Sequence, residues 1–485
     1  MPSGYNGKIL RINLTSKKLK VEEPEEAFYR TYPGGGSLAS YYLLRYMRPG
    51  IDPLGPENVL IFASNIISGA PIAGMTRFTV AAKSPLTGGY GEAVADGFWG
   101  PELKLSGFDA VVIKGKAEKP SYLSICDGQV ELRPAQKLWG LETGPAQEKI
   151  RKNLKDDRAR IALIGPAGEN LVRYACVVNE LKHVNGRMGM GAVIGSKNLK
   201  AIAVRGTNTL WARNLEKFLE ISKYMGELIA QHGANKGLGT LGTPNLLMAL
   251  NTRGMLPTRN FHDGVFAGAE KINGEKIAET ILKSKEGCYA CAAGCKRVVE
   301  IPAGPYATSS IYGGPEDETL AALGSLLCID DLAAISKGNE LCNRYGLDTI
   351  STGAVIALVM ECYEKGIVTQ ADTEGVEFRF GNAAAMLKAI EWIALRQKGL
   401  GDLLADGVKA AAEKIGQGSG KFALHIKGQE LPMYAPRGKT GQAALSFAVF
   451  PAGAGHMEAL HDTPLENAGE MMAWIAPLGD RKSVV

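Results

Sequence analysis

The run Gly287-Cys288-Tyr289-Ala290-Cys291-Ala292-Ala293-Gly294-Cys295 places three thiols at the spacing C-x2-C-x3-C. Mostly small residues fill the gaps, so the sulfurs can converge on one soft metal centre. Three buried free cysteines are the bland alternative, and so tight a run argues against it. Zinc would need a second C-x2-C or a paired histidine at finger spacing, and neither follows. The order is also the reverse of the C-x3-C-x2-C run used by enzymes that cleave S-adenosylmethionine. An iron–sulfur cluster is the favoured reading, with a zinc-binding interaction module a distant third. Such clusters usually take four cysteines, and no cysteine follows Cys362. Cys328 is a conceivable stand-in, although Leu326-Leu327-Cys328-Ile329 reads as helix core. Lys283, Lys285, Lys296 and Arg297 flank the run and could steer an acidic electron carrier; a merely solvated loop explains them equally well.

Four glycine-rich loops are the next residues with chemical potential. They are Gly34-Gly35-Gly36 before a helix, Lys83–Gly89, Gly165–Asn170 after a strand, and Gly186–Ala192. Each alone is a structural turn first. Together, with Arg77, Lys83 and Arg187 near them in sequence, they favour a phosphorylated cofactor held by backbone amides. Gly195-Ser196-Lys197 lacks the G-K-[ST] order of a P-loop. Gly189-x-Gly191-x-x-x-Gly195 is one residue off a dinucleotide fingerprint, with no strand leading straight into it. A nicotinamide or flavin site is the runner-up.

The elements that must hold these residues change character along the chain, which predicts an α+β fold. Short β-type runs occur at Lys8–Leu14, Val59–Ala63, Arg77–Ala82, Ala110–Lys114, Arg160–Ile164 and Ala201–Arg205, most of them near Gly, Pro or Asn. Helical stretches at Ser37–Tyr46 and Gly144–Leu154 interrupt them. From about Asn208 helical spacing dominates, at Leu215–His232, Leu332–Tyr345, Ser351–Lys365, Ala383–Gln397 and Gly401–Ile415, with the cysteine run in a loop between helices. The expected division is a β-rich domain at 1–208, a helical domain with the cysteines at 209–417, and a C-terminal helical domain, incomplete here, at 418–485. At 485 residues, 45% hydrophobic and 22% charged, the chain reads as an ordinary globular protein. A net charge of +5 argues against a dedicated nucleic-acid binder. Scattered single cysteines, no apolar signal core and no apolar stretch of ~20 residues lead to an expectation of cytoplasm and no membrane span.

Several of these stretches together resemble the tungsten- or molybdenum-dependent aldehyde ferredoxin oxidoreductase family. The similarity runs from Gly7–Leu14 nearly to the end, strongest at Lys83–Gly88, Gly165–Asn170, Gly191–Ile202, the cysteine run and Gly346–Ser351. The resemblance implies oxidation of an aldehyde to a carboxylate at a tungsten or molybdenum bis-pterin, whose metal is held by four dithiolene sulfurs. Cys288, Cys291 and Cys295 would bind a [4Fe–4S] cluster that passes electrons to ferredoxin. Arg77 would contact the pterin or its phosphate, with Arg187 a second cofactor-binding residue. The backbone carbonyls of Val94 and Val184 would hold a Mg2+ ion between the pterin phosphates. Asn343 and Asp348, in Asn343-x-x-Gly346-Leu347-Asp348, match a pterin-binding pattern; the plain reading is that Asn343 ends one helix and Asp348 caps the next. Glu318 and His456 would handle protons and hydrogen-bond the substrate or metal oxygen, with Glu458 and His461 as lesser candidates. Against this, Glu318 can be a helix-start acid, a role Glu316 suits better, and His456 a surface loop residue. Family members continue beyond the equivalent of residue 485 and carry the fourth cluster cysteine there. The resemblance thus implies a fragment, a homodimer or a completing partner chain, and an inactive iron–sulfur scaffold subunit is the alternative function.

Overall fold

The computed structural model describes residues 4–209, 212–231, 233–437 and 444–457. Glu458 and His461 lie outside the described residues. Two six-stranded sheets occupy the N-terminal region, which gives the α+β architecture expected. The first has the order β2 (Lys18–Glu22), β1 (Ile9–Asn13), β6 (Ala110–Lys114), β3 (Leu60–Ser64), β4 (Phe78–Lys83), β5 (Tyr90–Ala95). The second runs β11 (His183–Asn185), β10 (Val177–Asn179), β9 (Arg160–Leu163), β12 (Leu199–Arg205), β7 (Ser121–Cys126), β8 (Gln129–Pro134).

Strand periodicity explains the layering. In β3, Leu60 and Phe62 point one way, into a core shared with Ile202 and Val204 of β12, so the sheets pack face to face. Ile61 and Ala63 point the other way, against Leu38, Tyr42 and Leu43 of the helix Gly35–Tyr46. Likewise Ala201 and Ala203 turn from the shared core toward Ala146 and Ile150 of the helix Thr143–Leu154. The result is two sheets sandwiched between helices. Because both central strands are buried on both faces, their stretches Leu60–Ala63 and Ala201–Val204 read as continuous apolar runs rather than alternating ones.

The later part is helical. Helix Thr349–Glu364 is buried on nearly all sides, among Leu332–Tyr345, Ala383–Ala394 and Val408–Ile415. That core also takes in Val172, Tyr174, Ala175 and Ala192 from the β-rich region. The join is fixed by backbone: the Cys176 amide donates to the Gly346 carbonyl at 2.9 Å, and Ala175 pairs with Leu347. Gly346 itself closes Leu332–Tyr345 in the left-handed conformation at φ 76°.

Three sequence expectations change. The cysteine run does not join helices: it closes an antiparallel hairpin of β13 (Leu282–Glu286) and β14 (Lys296–Val299), with Glu286 opposite Lys296. The stretch Gly401–Ile415 is two helices, Leu400–Leu404 and Val408–Ile415, parted at Gly407. Two of the glycine loops serve packing rather than presenting amides to a ligand. A β-carbon on Gly195 would lie 2.0 Å from the Gly168 carbonyl oxygen, so the helices Pro166–Glu169 and Met190–Ser196 touch backbone to backbone. A β-carbon on Gly36 would meet a Glu92 carboxylate oxygen at 2.5 Å, so that helix start already faces an anion of the chain itself. Among the described residues no helix is long and apolar enough to cross a membrane.

Candidate active site

One cavity of about 540 Å³ lies where the sheets meet the helical part. Strand β5 and the residue after it supply Glu92, Val94 and Asp96, and Arg77 precedes β4. Strand β11 and the loop after it add His183, Val184 and Arg187. The hairpin gives Cys288, Cys295 and Lys296. The starts of helices Asp317–Leu323 and Thr349–Glu364 bring Glu316, Asp317, Glu318 and Asp348, and the segment around residue 455 brings His456. Nine of the expected site residues therefore share one wall: Arg77, Val94, Val184, Arg187, Cys288, Cys295, Glu318, Asp348 and His456.

Cys291 and Asn343 are not on that wall. Cys291 sits in the hairpin loop with the other two thiols, and its charge is felt by both Cys288 and Cys295. Asn343 points elsewhere: its amide donates to the Tyr312 carbonyl at 2.9 Å, while its own carbonyl accepts from Thr143 Oγ1. Cys328 is also away from the cavity, among Arg259, Glu364 and Asp263. Among the described residues no three His, Cys, Asp or Glu side chains are already set to grip a metal ion.

Two of the thiols, Cys288 and Cys295, are held toward the protonated form. Burial pushes Cys288 up to about 12, with Asp96 adding to it and the Gly97 amide opposing. Burial and then Glu316 raise Cys295. A soft cation here would displace these protons, since the thiolate is the ligand form.

The cationic side is built from Arg77 and Arg187. Arg77 Nε pairs with Asp96 at 3.0 Å and stays half-exposed. Arg187 is held by Asp348 at 3.3 Å and by the carbonyls of Glu430 (2.5 Å) and Ala454 (3.2 Å). Its Nε is buried and has no hydrogen-bond partner among the described residues, an orphan donor of the kind an oxyanion satisfies. Asp348 does cap its helix, accepting from the Ile350 amide at 3.0 Å, and also accepts from Ser351 Oγ at 2.8 Å.

The acidic side separates three adjacent carboxylates by their partners. Glu316 meets Lys296 at 2.6 Å and accepts from Thr243 Oγ1. Burial alone would raise Glu316, but Lys296 outweighs it and holds the carboxyl below its ordinary value. Burial would likewise lower Lys296, and Glu316 keeps it above the usual lysine value. Glu318 accepts from the Met433 amide at 2.8 Å. Asp317 lies between them, and burial plus both glutamates push it up. Lys296 and Arg297 are thus not a docking fringe: Lys296 faces the cavity, and Arg297 is buried, donating to the carbonyls of Gly239, Thr240 and Gly294.

Sequence reasoning missed His183 and Asp317. His183 is buried on the cavity wall, and burial, reinforced by Lys296 and Lys182, drops it to about 3, so it is a neutral imidazole. Neither residue stands in a spacing that marks it; only the fold brings them in.

Most of the chain matches known proteins. Residues 9–206 match the family model "Aldehyde ferredoxin oxidoreductase, N-terminal domain", and residues 220–482 match "Aldehyde ferredoxin oxidoreductase, domains 2 & 3". The tungsten-containing aldehyde ferredoxin oxidoreductase of Pyrococcus furiosus is 41% identical over 459 residues, covering 94% of this chain and 74% of the relative. An aliphatic sulfonate oxidoreductase, WOR-like subunit, of the same organism is 32% identical over 482 residues, covering 93% and 75%. Among solved structures, the active-site complex BamBC of benzoyl coenzyme A reductase with 1,5-dienoyl-CoA superposes at a TM-score of 0.79. It is 28% identical, covering 90% of this chain and 67% of that one. Fold and relatives define an oxidoreductase. The chain belongs to the aldehyde ferredoxin oxidoreductase family.

Proposed function

We propose that this chain oxidises an aldehyde to the carboxylate, using a tungsten or molybdenum bis-pterin and a [4Fe–4S] cluster, with ferredoxin as electron acceptor. The observation that carries the reading is the single cavity into which soft thiols, guanidinium groups and carboxylates converge. The donor set fits the cofactors: the orphan Nε of Arg187 suits a phosphate or pterin oxygen, and Cys288 and Cys295 offer sulfur in the same wall. When bound, the pterin-held metal supplies a two-electron redox centre and the cluster a one-electron outlet. Metal-bearing relatives and the family's oxidoreductase names do not favour an inactive scaffold.

The chain's own residues then have distinct tasks. Arg77 and Arg187 neutralise the cofactor's anionic groups, and Asp348 holds Arg187 in place while keeping acceptor capacity for ring N–H groups. Carbonyls of Val94 and Val184 would hold a Mg2+ ion, a hard cation suited to oxygen ligands. Cys288, Cys291 and Cys295 supply three cluster ligands. Glu318, steadied by the Met433 amide, takes a proton from the oxygen nucleophile, and His456 hydrogen-bonds the substrate oxygen. Asn343 is committed to Tyr312, so its part in the pterin pocket is confined to shaping the helix end.

The test is anaerobic purification followed by elemental analysis, low-temperature EPR and aldehyde-dependent reduction of ferredoxin. The expected result is iron with tungsten or molybdenum, a cluster signal lost in Cys288→Ser and Cys295→Ser, and turnover abolished in Glu318→Gln. Zinc in a colourless protein, or metal-loaded protein inert toward every aldehyde tried, overturns the proposal.

A further inference from the structure

Ser351 Oγ stands between two carboxyl groups and has one proton to give. Asp348 Oδ2 and Glu430 Oε2 each lie 2.8 Å from it. All three residues are buried, Ser351 and Glu430 completely. A hydroxyl donates once. Two ionised carboxyls at these distances would leave one oxygen facing a lone pair in a dry site, which is costly. A second proton on one carboxyl removes the conflict, because that acid donates to Ser351 Oγ and Ser351 donates onward. The remaining partners decide which carboxyl holds it. Asp348 has a cation, Arg187 at 3.3 Å, and the Ile350 amide at 3.0 Å. Glu430 has, besides Ser351, only the Val408 amide, 2.9 Å from Oε1. Arg187 reaches the backbone carbonyl of Glu430 rather than its carboxyl.

The other charged groups packed near Glu430 are engaged elsewhere. Asp406, just before the turn at Gly407, is shared by Arg173, Arg396 and Lys414. His425, opposite Glu430 in the ribbon of His425–Ile426 and Gln429–Glu430, has Lys409 and Glu413 as its charged neighbours. The Tyr174 hydroxyl donates to the Leu404 carbonyl at 3.0 Å. Burial raises Glu430, outweighing the Val408 amide and Arg187, which favour the anion.

We propose that Glu430 is a neutral acid at neutral pH and a positioning residue: it donates to Ser351, Ser351 donates to Asp348, and Asp348, left as the carboxylate, fixes Arg187. The buried Nε of Arg187 is thereby held in one orientation with its hydrogen-bonding capacity unspent. That Arg187 receives a cofactor oxyanion rests on the proposed function; the proton on Glu430 does not. When alkali removes that proton, both carboxylates compete for the single hydroxyl, and the hold of Asp348 on Arg187 changes.

The test is infrared difference spectroscopy of the full chain across a pH series, which needs neither aldehyde nor turnover. Glu430→Gln keeps the shape and offers Ser351 an amide N–H in place of the acid proton. Wild type minus Glu430→Gln should show a protonated carboxyl C=O stretch at neutral pH that vanishes on alkaline titration. Ser351→Ala keeps the acid but removes its acceptor, so it should move the band to higher wavenumber, and it serves if Glu430→Gln fails to fold. The unfolded chain ionises Glu430 above the ordinary carboxylate range while the fold keeps it protonated. Wild-type melting temperature should therefore fall relative to Glu430→Gln as pH rises from about 5 to 8. The Nε–H resonance of Arg187, assigned through Arg187→Lys, should move over the titration in wild type and stay fixed in Glu430→Gln. A missing band, a band that Ser351→Ala leaves in place, or melting curves that run parallel overturns the neutral acid. A band accompanied by an Arg187 resonance indifferent to pH overturns the positioning role. A band and a moving resonance in a protein that oxidises no aldehyde support the proposal and overturn only the reaction.

Discussion

Removing Lys296 should loosen the hairpin that carries the cysteines from the helix that carries the acids. The 2.6 Å pair with Glu316 is an ionic link between them, with side-chain exposures of 14% and 33%. Breaking a fully buried pair by deleting one partner costs roughly 3–5 kcal/mol. Partial exposure of Glu316 lets water screen the orphaned charge, which brings the expectation for Lys296→Met down to about 1–3 kcal/mol. Acid sensitivity follows from the direction of the shifts. Glu316 is depressed in the fold, so its contribution is complete above the ordinary carboxylate range and fades as pH falls through its lowered value. Lys296 is raised, so its contribution is complete below the ordinary lysine value and is lost only as pH climbs through the raised one. The assay is a double-mutant cycle of Lys296→Met and Glu316→Gln by urea denaturation at pH 7 and at pH 4, with amide exchange read across 287–300. Coupling of about 1–3 kcal/mol at pH 7 that shrinks at pH 4 is the expected result. Additive single effects, within roughly 0.5 kcal/mol, would refute the linkage.

Two further outcomes concern the scaffold. Lys197 is fully buried and donates to the carbonyls of Asn58 (2.6 Å) and Gly115 (3.3 Å), and burial lowers it to about 7. The unfolded chain therefore binds the extra proton above pH 7, so wild-type stability should gain on the order of a few kcal/mol between about pH 7 and 10, and Lys197→Met should lack that gain in parallel melts. Gly195→Ala sets a methyl 2.0 Å from the Gly168 carbonyl oxygen, and backbone cannot move aside as a side chain can. A loss of about 1–3 kcal/mol or more is expected by thermal denaturation; an unchanged midpoint would show that the two helices are free to part.

What could be read in the chain beforehand divides along physical lines. Ala110–Lys114 and Leu332–Tyr345 were legible to the residue, because the first is a short β-branched run and the second has helical spacing with Asp331 and Gly346 at its ends. Strands β7 and β8 were missed, since Ser121–Cys126 and Gln129–Pro134 mix polar and apolar residues whose alternation makes sense only once β12 lies beside β7. The hairpin around the cysteines was hidden by Lys283, Lys285 and Lys296, charged residues on a two-stranded ribbon with little burial pattern to show. In the cavity, residues bearing a motif were found and those bearing none were not. The thiols stood out by their spacing and Glu318 through the family resemblance, whereas Asp317 and His183 acquire meaning only from the neighbours that desolvate them. The glycines misled for a related reason: Gly168 and Gly195 look like amides offered to a ligand until the opposing backbone is seen.

The hairpin has one more consequence. With Glu286 fixed opposite Lys296, all three thiols hang from a nine-residue bridge whose ends the ladder has already joined. Closing so short a bridge costs little chain entropy, so the three thiols are kept in one neighbourhood by a local fold of the ribbon. A single inserted residue between Gly287 and Cys295 should leave the ribbon standing and still change how the three sulfurs face one another, so the proposed cluster site is sensitive to the length of this bridge.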